Sequence, residues 1–249
     1  MKINVLLSPH NVDELYFSNK TTVVIDVLRA TTVIVTALEN GAREVIPVGS
    51  VDFAMKVSGN AFGGQTLLGG ERNTNKIEGF YLGNSPSEYT SETVTGKSII
   101  LYTTNGSKAI VKAKFSENLF ICSFKNLKAI ANHIVKLKKD VEILCAGSNG
   151  MFCIEDTVCA GRLISEISSL ASDLELTDAA KASAVLNKSF GDNIFEMLKN
   201  AEHGQKLINN GYEDDLNECA AIGVSDVIPF YNSGVVKVYK EEETNIKVE

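Results

Sequence analysis

A chain of 249 residues, 44% hydrophobic and 22% charged, is long enough to bury a sizeable core and needs neither disulfides nor a structural metal to fold. Its 31 acidic against 24 basic residues leave a net charge of −7, which gives no support to a nucleic-acid or anionic-membrane partner but leaves room for a small anionic ligand in a local positive pocket. Only four prolines argue against a disordered chain, and no apolar run approaches the roughly 18 residues of a membrane span.

Taken in chain order, the apolar stretch within residues 1–9 is too short for a secretory signal. Residues 23–28 are Val- and Ile-rich without alternation, which predicts a strand buried on both faces. A helix is expected over 31–40, closed by Asn40-Gly41. Further buried strands are expected at 45–48, 98–102, 119–122 and 141–146, with helices at 52–58, 108–114 and 126–139. This alternation predicts an α/β fold with a largely parallel sheet. Residues 60–95 are rich in Gly, Asn, Ser and Thr around one short apolar run at 66–68, and a loop-rich stretch of that length is more often functional than idle. Residues 156–219 read as nearly all helical. Residues 227–231 and 235–239 read as a hairpin around Asn232-Ser233-Gly234, which would make the sheet mixed. No repeat or linker divides the chain, so one compact domain over 1–249 is expected. The five cysteines, at 122, 145, 153, 159 and 219, lack zinc or redox spacing and read as small core residues in a reducing cytoplasm.

In open α/β sheets, ligands bind beyond the carboxyl ends of the strands. The residues after the apolar runs are therefore the place to look for chemistry. They are Asp26-Val27-Leu28-Arg29-Ala30-Thr31-Thr32, Gly69-Gly70-Glu71-Arg72-Asn73, Thr103-Thr104-Asn105-Gly106-Ser107 and Ala146-Gly147-Ser148-Asn149-Gly150, the last followed by Glu155-Asp156. Gly, Ser, Thr and Asn at strand-to-helix turns present backbone N–H groups beside a positive helix end, which suits phosphate or sulfonate. The alternative is that they are helix caps and nothing more. Arginine is scarce, four against 20 lysines, yet Arg29 and Arg72 both fall in these clusters. Their forked guanidinium groups suit a two-oxygen anion, or else an ion pair with Asp26 or Glu71. Asp26, Glu71, Glu155 and Asp156 would repel an anion unless a cation intervened, and Mg2+ commonly bridges one or two carboxylates to phosphate. Glu155 and Asp156 also suit the first turn of a helix as mere dipole partners. Ser85-Pro86-Ser87-Glu88 reads as a capping box with proline at the first helical position, leaving Asn84 as a ligand candidate. His10, His133 and His203 form no evident catalytic set, and His133 reads as structural.

Together, Val24-Ile25-Asp26-Val27-Leu28-Arg29-Ala30-Thr31-Thr32, Gly69-Gly70-Glu71-Arg72, Gly83-Asn84-Ser85-Pro86 and Thr103-Thr104-Asn105-Gly106 resemble the 2-phosphosulfolactate phosphatases over essentially the whole chain. The resemblance implies a three-layer α/β/α fold with a mixed sheet. It also implies a Mg2+-dependent phosphatase converting 2-phospho-3-sulfolactate to 3-sulfolactate and phosphate, a step of coenzyme M biosynthesis. The expected catalytic residues are Asp26, Glu71, Glu155 and Asp156, with Asp26, Glu71 and Asp156 as metal ligands. The expected substrate contacts are Arg29, Thr31, Arg72, Asn84, Thr103, Thr104, Asn105, Gly106, Gly147, Ser148 and Asn149. The expected partner is a small anionic phosphate or sulfonate, with no nucleic acid or membrane; a homodimer is left open. Two rivals stand beside this reading. A haloacid dehalogenase-like phosphatase would use Asp26 as nucleophile but wants a second Asp where Leu28 stands. A non-catalytic anion-binding module would need the turns but not the acids.

Overall fold

The computed structural model describes residues 1–60 and 65–240. Residues 61–64 of the loop-rich stretch and 241–249 of the expected domain lie outside the described residues. In chain order the elements run β1 (Lys2–Leu6), β2 (Thr21–Ile25), α1 (Ala30–Glu39), β3 (Glu44–Pro47), α2 (Val51–Asn60), β4 (Thr66–Arg72), β5 (Asn75–Lys76), α3 (Ser91–Val94), β6 (Ser98–Tyr102), α4 (Gly106–Lys112) and β7 (Asn118–Cys122). They continue with α5 (Leu127–Leu137), β8 (Val141–Cys145), α6 (Ile154–Leu170), β9 (Glu175–Leu176), α7 (Asp178–Phe190), α8 (Ile194–Asn200), α9 (Glu202–Asn209), α10 (Asp215–Ala220), β10 (Pro229–Asn232) and β11 (Val235–Val238).

One sheet runs in the order β5-β4-β6-β3-β11-β10-β7-β2-β8-β1-β9. Two parallel blocks, β4-β6-β3 and β7-β2-β8-β1-β9, are joined by the hairpin β10–β11, whose strands pair antiparallel to both. The sheet is mixed as expected, with the hairpin at its centre. The expected strands were read as continuous apolar runs because both of their faces are covered. In β2, Val24 packs with Val33 and Ile34 of α1, while Val23 and Ile25 pack with Ile130 of α5 and Leu163 of α6. In β6, Ile99 and Leu101 face the α1–α4 layer, while Ile100 and Tyr102 face Ala54 of α2. Helices therefore cover both faces, giving three α/β/α layers. All five cysteines are buried and free, and His133 is buried against Phe120 and Tyr239, with ring centroids 4.8 and 4.5 Å away. Among the described residues, no helix is long and apolar enough to cross a membrane.

The sheet curls around the α1–α4 layer. Helix α4 packs on β6 and β3 of one block and on β2 of the other. At its first residue, Gly106, a Cβ would come within 2.5 Å of Asp26 Oδ2 and of Ala30 Cβ. Only glycine lets the start of α4 approach the end of β2 this closely, and that approach brings the two blocks to one site.

Candidate active site

The carboxyl ends of β2, β4, β6 and β8 surround a cavity of about 230 Å³. Asp26, Leu28 and Arg29 line it from the β2–α1 turn, Glu71 from the end of β4, and Asn73, Thr74 and Asn84 from the loop region beyond it. Thr103, Thr104 and Asn105 come from the β6–α4 turn, and Ser148 and Asn149 from the turn after β8. The far wall is α9, which supplies His203 and Lys206, with Asn210 at its end.

The turns do their work largely inward. Asp26 accepts from the Ala30 N–H at the start of α1 (3.2 Å), so the carboxylate occupies that helix end. Asp156 accepts from the Val27 N–H (2.8 Å) and the Gly147 N–H (3.0 Å), tying the β2–α1 turn to the turn after β8. Glu71 accepts from the Thr104 N–H (2.7 Å), the Thr74 N–H (2.7 Å) and the Thr104 hydroxyl (3.1 Å). Its position depends on Gly70, whose φ is 136° and where a Cβ would stand 1.8 Å from the Tyr102 carbonyl oxygen. Asn105 Oδ1 accepts from the Asn149 N–H at 3.0 Å, a bond between the two blocks. Many of the amides expected to cradle an anion thus hold carboxylates and amide side chains instead.

Several expected contacts take other roles. Thr31 is fully buried, donating its hydroxyl to the Asp26 carbonyl (2.8 Å) and accepting from the Asp26 N–H (3.1 Å), and it does not line the cavity. Gly106 and Gly147 are spacers beside Asp26 and Asp156. Arg72 is exposed and lies outside the cavity lining, because adjacent residues of a strand point to opposite faces and Glu71 takes the inner one. Arg29 lines the cavity but is ion-paired at 2.6 Å with Asp215, not with Asp26 or Glu71. It also donates to the Thr74 carbonyl (2.9 Å) and stacks 4.3 Å from the Tyr212 ring centroid. The Ser85 capping box is absent. Pro86 does open a short 3-10 turn, but the Ser85 hydroxyl donates to Asp215, and Glu88 accepts from the Gly83 N–H (2.9 Å). Neither Glu155 nor Asp156 lines the cavity, although both are buried behind it.

Sequence reasoning missed α9 and Asp215, which reach the site only through tertiary packing. His203 had been noted without a role. Its Nδ1 stands 3.5 Å from Glu155 Oε1.

Electrostatically the site is acid-rich. Burial, the largest cause, pushes the Asp26 carboxyl up to about 6; the nearby His203 charge and the Ala30 N–H oppose this, while Glu71 and Glu155 add to it. Burial, then repulsion from Asp26 and Glu155, drives Asp156 well above the usual carboxylate range. Asn84 Oδ1 is buried on the cavity without a hydrogen-bond partner. Among the described residues, no group of three or more His, Cys, Asp or Glu side chains could by itself hold a metal ion. Asp26, Glu71 and Asn84 nevertheless make an all-oxygen donor set that suits a hard cation completed by substrate and water. Asp156 fits that role poorly, since it is buried behind the cavity and does not line it.

An opening this small and this rich in oxygen and nitrogen donors suits the handling of a compact anion, and the comparisons place it in a definite class: the chain is a phosphatase of α/β/α architecture. A family model described as 2-phosphosulpholactate phosphatase matches residues 6–234, and the chain belongs to that family. A probable 2-phosphosulfolactate phosphatase of Caldanaerobacter subterraneus is 40% identical over 232 residues, covering 93% of this chain and 96% of the relative. Proteins of the same description from Clostridium acetobutylicum (40% over 236 residues, 95% and 100% covered) and Clostridium novyi (42% over 232 residues, 93% and 97% covered) are similarly close.

Proposed function

We propose that this phosphatase hydrolyses 2-phospho-3-sulfolactate, or a close phosphorylated sulfonate, to the hydroxy acid and phosphate with the help of Mg2+. One observation carries the cation: Asp26 and Glu71 line the cavity in which a phosphate dianion would sit, Glu155 and Asp156 are buried behind it, and all four are at most 7% exposed. Without a divalent cation or protonation, those charges repel the substrate. Asp26, Glu71 and Asn84 would hold the cation. When bound, it neutralises charge and polarises the phosphoryl oxygens. Asp156 positions, since it braces the turn that carries Asp26. Thr103, Thr104, Ser148 and Asn149 supply polar groups around the anion, and Lys206 and Arg29 bias the outer wall towards its second charge. The relatives' names support the substrate, and the five buried thiols suit a reducing cytoplasm.

The test is phosphate release from 2-phospho-3-sulfolactate and a panel of phosphorylated hydroxy acids, with Mg2+ and after complete chelation. Turnover confined to the metal-loaded protein is expected. Full activity after chelation removes the cation from the reading, and no turnover on the whole panel removes the substrate class. The haloacid dehalogenase-like alternative gains nothing from the structure, since Leu28 occupies the cavity where that mechanism needs a second acid.

A further inference from the structure

Departure of the alcohol is the unsolved half of this hydrolysis. The leaving oxygen of a phosphorylated hydroxy acid is an alkoxide, a poor leaving group near neutral pH unless it is protonated as it goes. Glu71 has both oxygens engaged with the Thr74 and Thr104 N–H groups. Asp156 likewise holds the Val27 and Gly147 N–H groups. Asp26 stands at the floor, where the attack is expected. Lys206 pairs outward with Glu202 at 2.8 Å, and an ammonium gives up its proton reluctantly.

His203 is different. It sits on α9, the wall facing the acidic floor, and its side chain is 16% exposed. Behind it stands Glu155, 2% exposed, an acid that does not line the cavity. A carboxylate at Nδ1 fixes the ring orientation and leaves Nε2 for the cavity. The charged groups around the ring are Glu155 from α6, Asp26 from the β2–α1 turn, and Glu202 on its own helix.

We propose that His203 is the general acid of the reaction, protonating the leaving alcohol from Nε2, with Glu155 as the positioning residue that orients the imidazole through the 3.5 Å approach of its Oε1 to Nδ1. As an oxygen from water forms its bond to phosphorus, the bond from phosphorus to the alcohol oxygen breaks. That oxygen keeps the electron pair and takes the proton from Nε2. The proton lost by the consumed water restores the imidazolium, so monoester plus water gives alcohol plus phosphate.

The inference rests on the phosphatase reading, and the test separates the two. Wild type, His203→Gln, His203→Ala and Glu155→Gln are compared on 2-phospho-3-sulfolactate and on its 3,3-difluoro analogue, which keeps the phosphate, sulfonate and carboxylate but releases a more acidic alcohol. His203→Gln should lower kcat on the parent ester by roughly 100-fold or more, the usual scale of general acid catalysis, and lower it far less on the fluorinated ester. Added imidazole should partly restore His203→Ala. Glu155→Gln should show a smaller loss with the same dependence on the leaving group and little change in KM. Equal losses on the two esters, without imidazole rescue, would mean that His203 merely binds substrate; they overturn the inference and leave the phosphatase reading standing. Absence of wild-type turnover on both esters overturns the reading and the inference with it.

Discussion

Asp26 is held where a carboxylate is least comfortable, and that discomfort can be measured. Its folded pKa, about 6 and raised chiefly by burial, lies above the roughly 3.9 of an unfolded Asp. The protonated form is therefore favoured by folding: its contribution is complete below about pH 4 and is lost as pH rises through about 6. At pH 8 in metal-free buffer the ionised side chain costs the fold on the order of 3 kcal/mol. Asp26→Asn keeps an oxygen for the Ala30 N–H and removes the charge. It should abolish turnover yet raise the thermal midpoint at pH 8 by several degrees, at about 2–4 °C per kcal/mol for a chain this size. The gain should shrink towards pH 4. Thermal scans across that range check it, and a midpoint at pH 8 no higher than wild type would mean that the buried charge is compensated. At this scale the sequence was half legible. Asp26, Glu71, Thr104, Asn105 and Asn149 line the cavity because all follow buried strands. Arg72 misled because it was read as a member of a cluster, whereas the two-residue period of a strand already forbids Glu71 and Arg72 from facing the same way. Thr31 misled because a hydroxyl at a helix start serves its own turn as readily as a ligand.

At the scale of elements, α9 and α10 are the part that sequence patterning could not place. Their helical character was clear, but nothing local says that Asp215 meets Arg29, 186 positions away. Strand β1 was also missed, since its mixed polar and apolar residues made no run like those of β2 or β8. The docking of α10 is now the point to probe. Asp215 binds Arg29 at 2.6 Å and accepts from the Ser85 hydroxyl, so one carboxylate joins three segments around the cavity. Both members of the pair are at most 5% exposed, where removing one partner leaves an uncompensated charge at a cost of about 3–5 kcal/mol. Asp215→Ala should therefore destabilise the fold by about that much in urea unfolding and raise KM, because Arg29 in the cavity wall loses its anchor. A loss under about 1 kcal/mol would place this pair with surface ion pairs and remove the clamp from the account.

For the molecule as a whole, the groups that line the cavity belong to two different parallel blocks. Glu71 and the residues Thr103, Thr104 and Asn105 come from the β4-β6-β3 block, while Asp26, Ser148 and Asn149 come from the block around β2 and β8. Among the described residues of the sheet, only β10 and β11 span the gap, and the tie to β3 is a single register pair, Val236 opposite Val45. Val236 is fully buried in the same core as Val24, Val33 and Ile110, so its side chain packs where both blocks meet α1 and α4. A hairpin late in the described residues therefore closes the sheet last in sequence and holds the site together. Val236→Ala should cost about 2 kcal/mol from lost packing, a drop of roughly 4–8 °C in thermal midpoint, whereas Val238→Ala, at 38% exposed, should stay within about 0.5 kcal/mol of wild type. The sharper expectation concerns cooperativity. Because neither block has a complete sheet without the hairpin, secondary structure followed by far-ultraviolet circular dichroism and core packing followed by tyrosine fluorescence should be lost in one coincident transition, in wild type and in Val236→Ala alike. Activity should disappear on the same curve, since separating the blocks parts Glu71 from Asp26. Two resolved transitions in Val236→Ala, one block melting before the other, would show that each block holds itself up and that the hairpin only covers their seam.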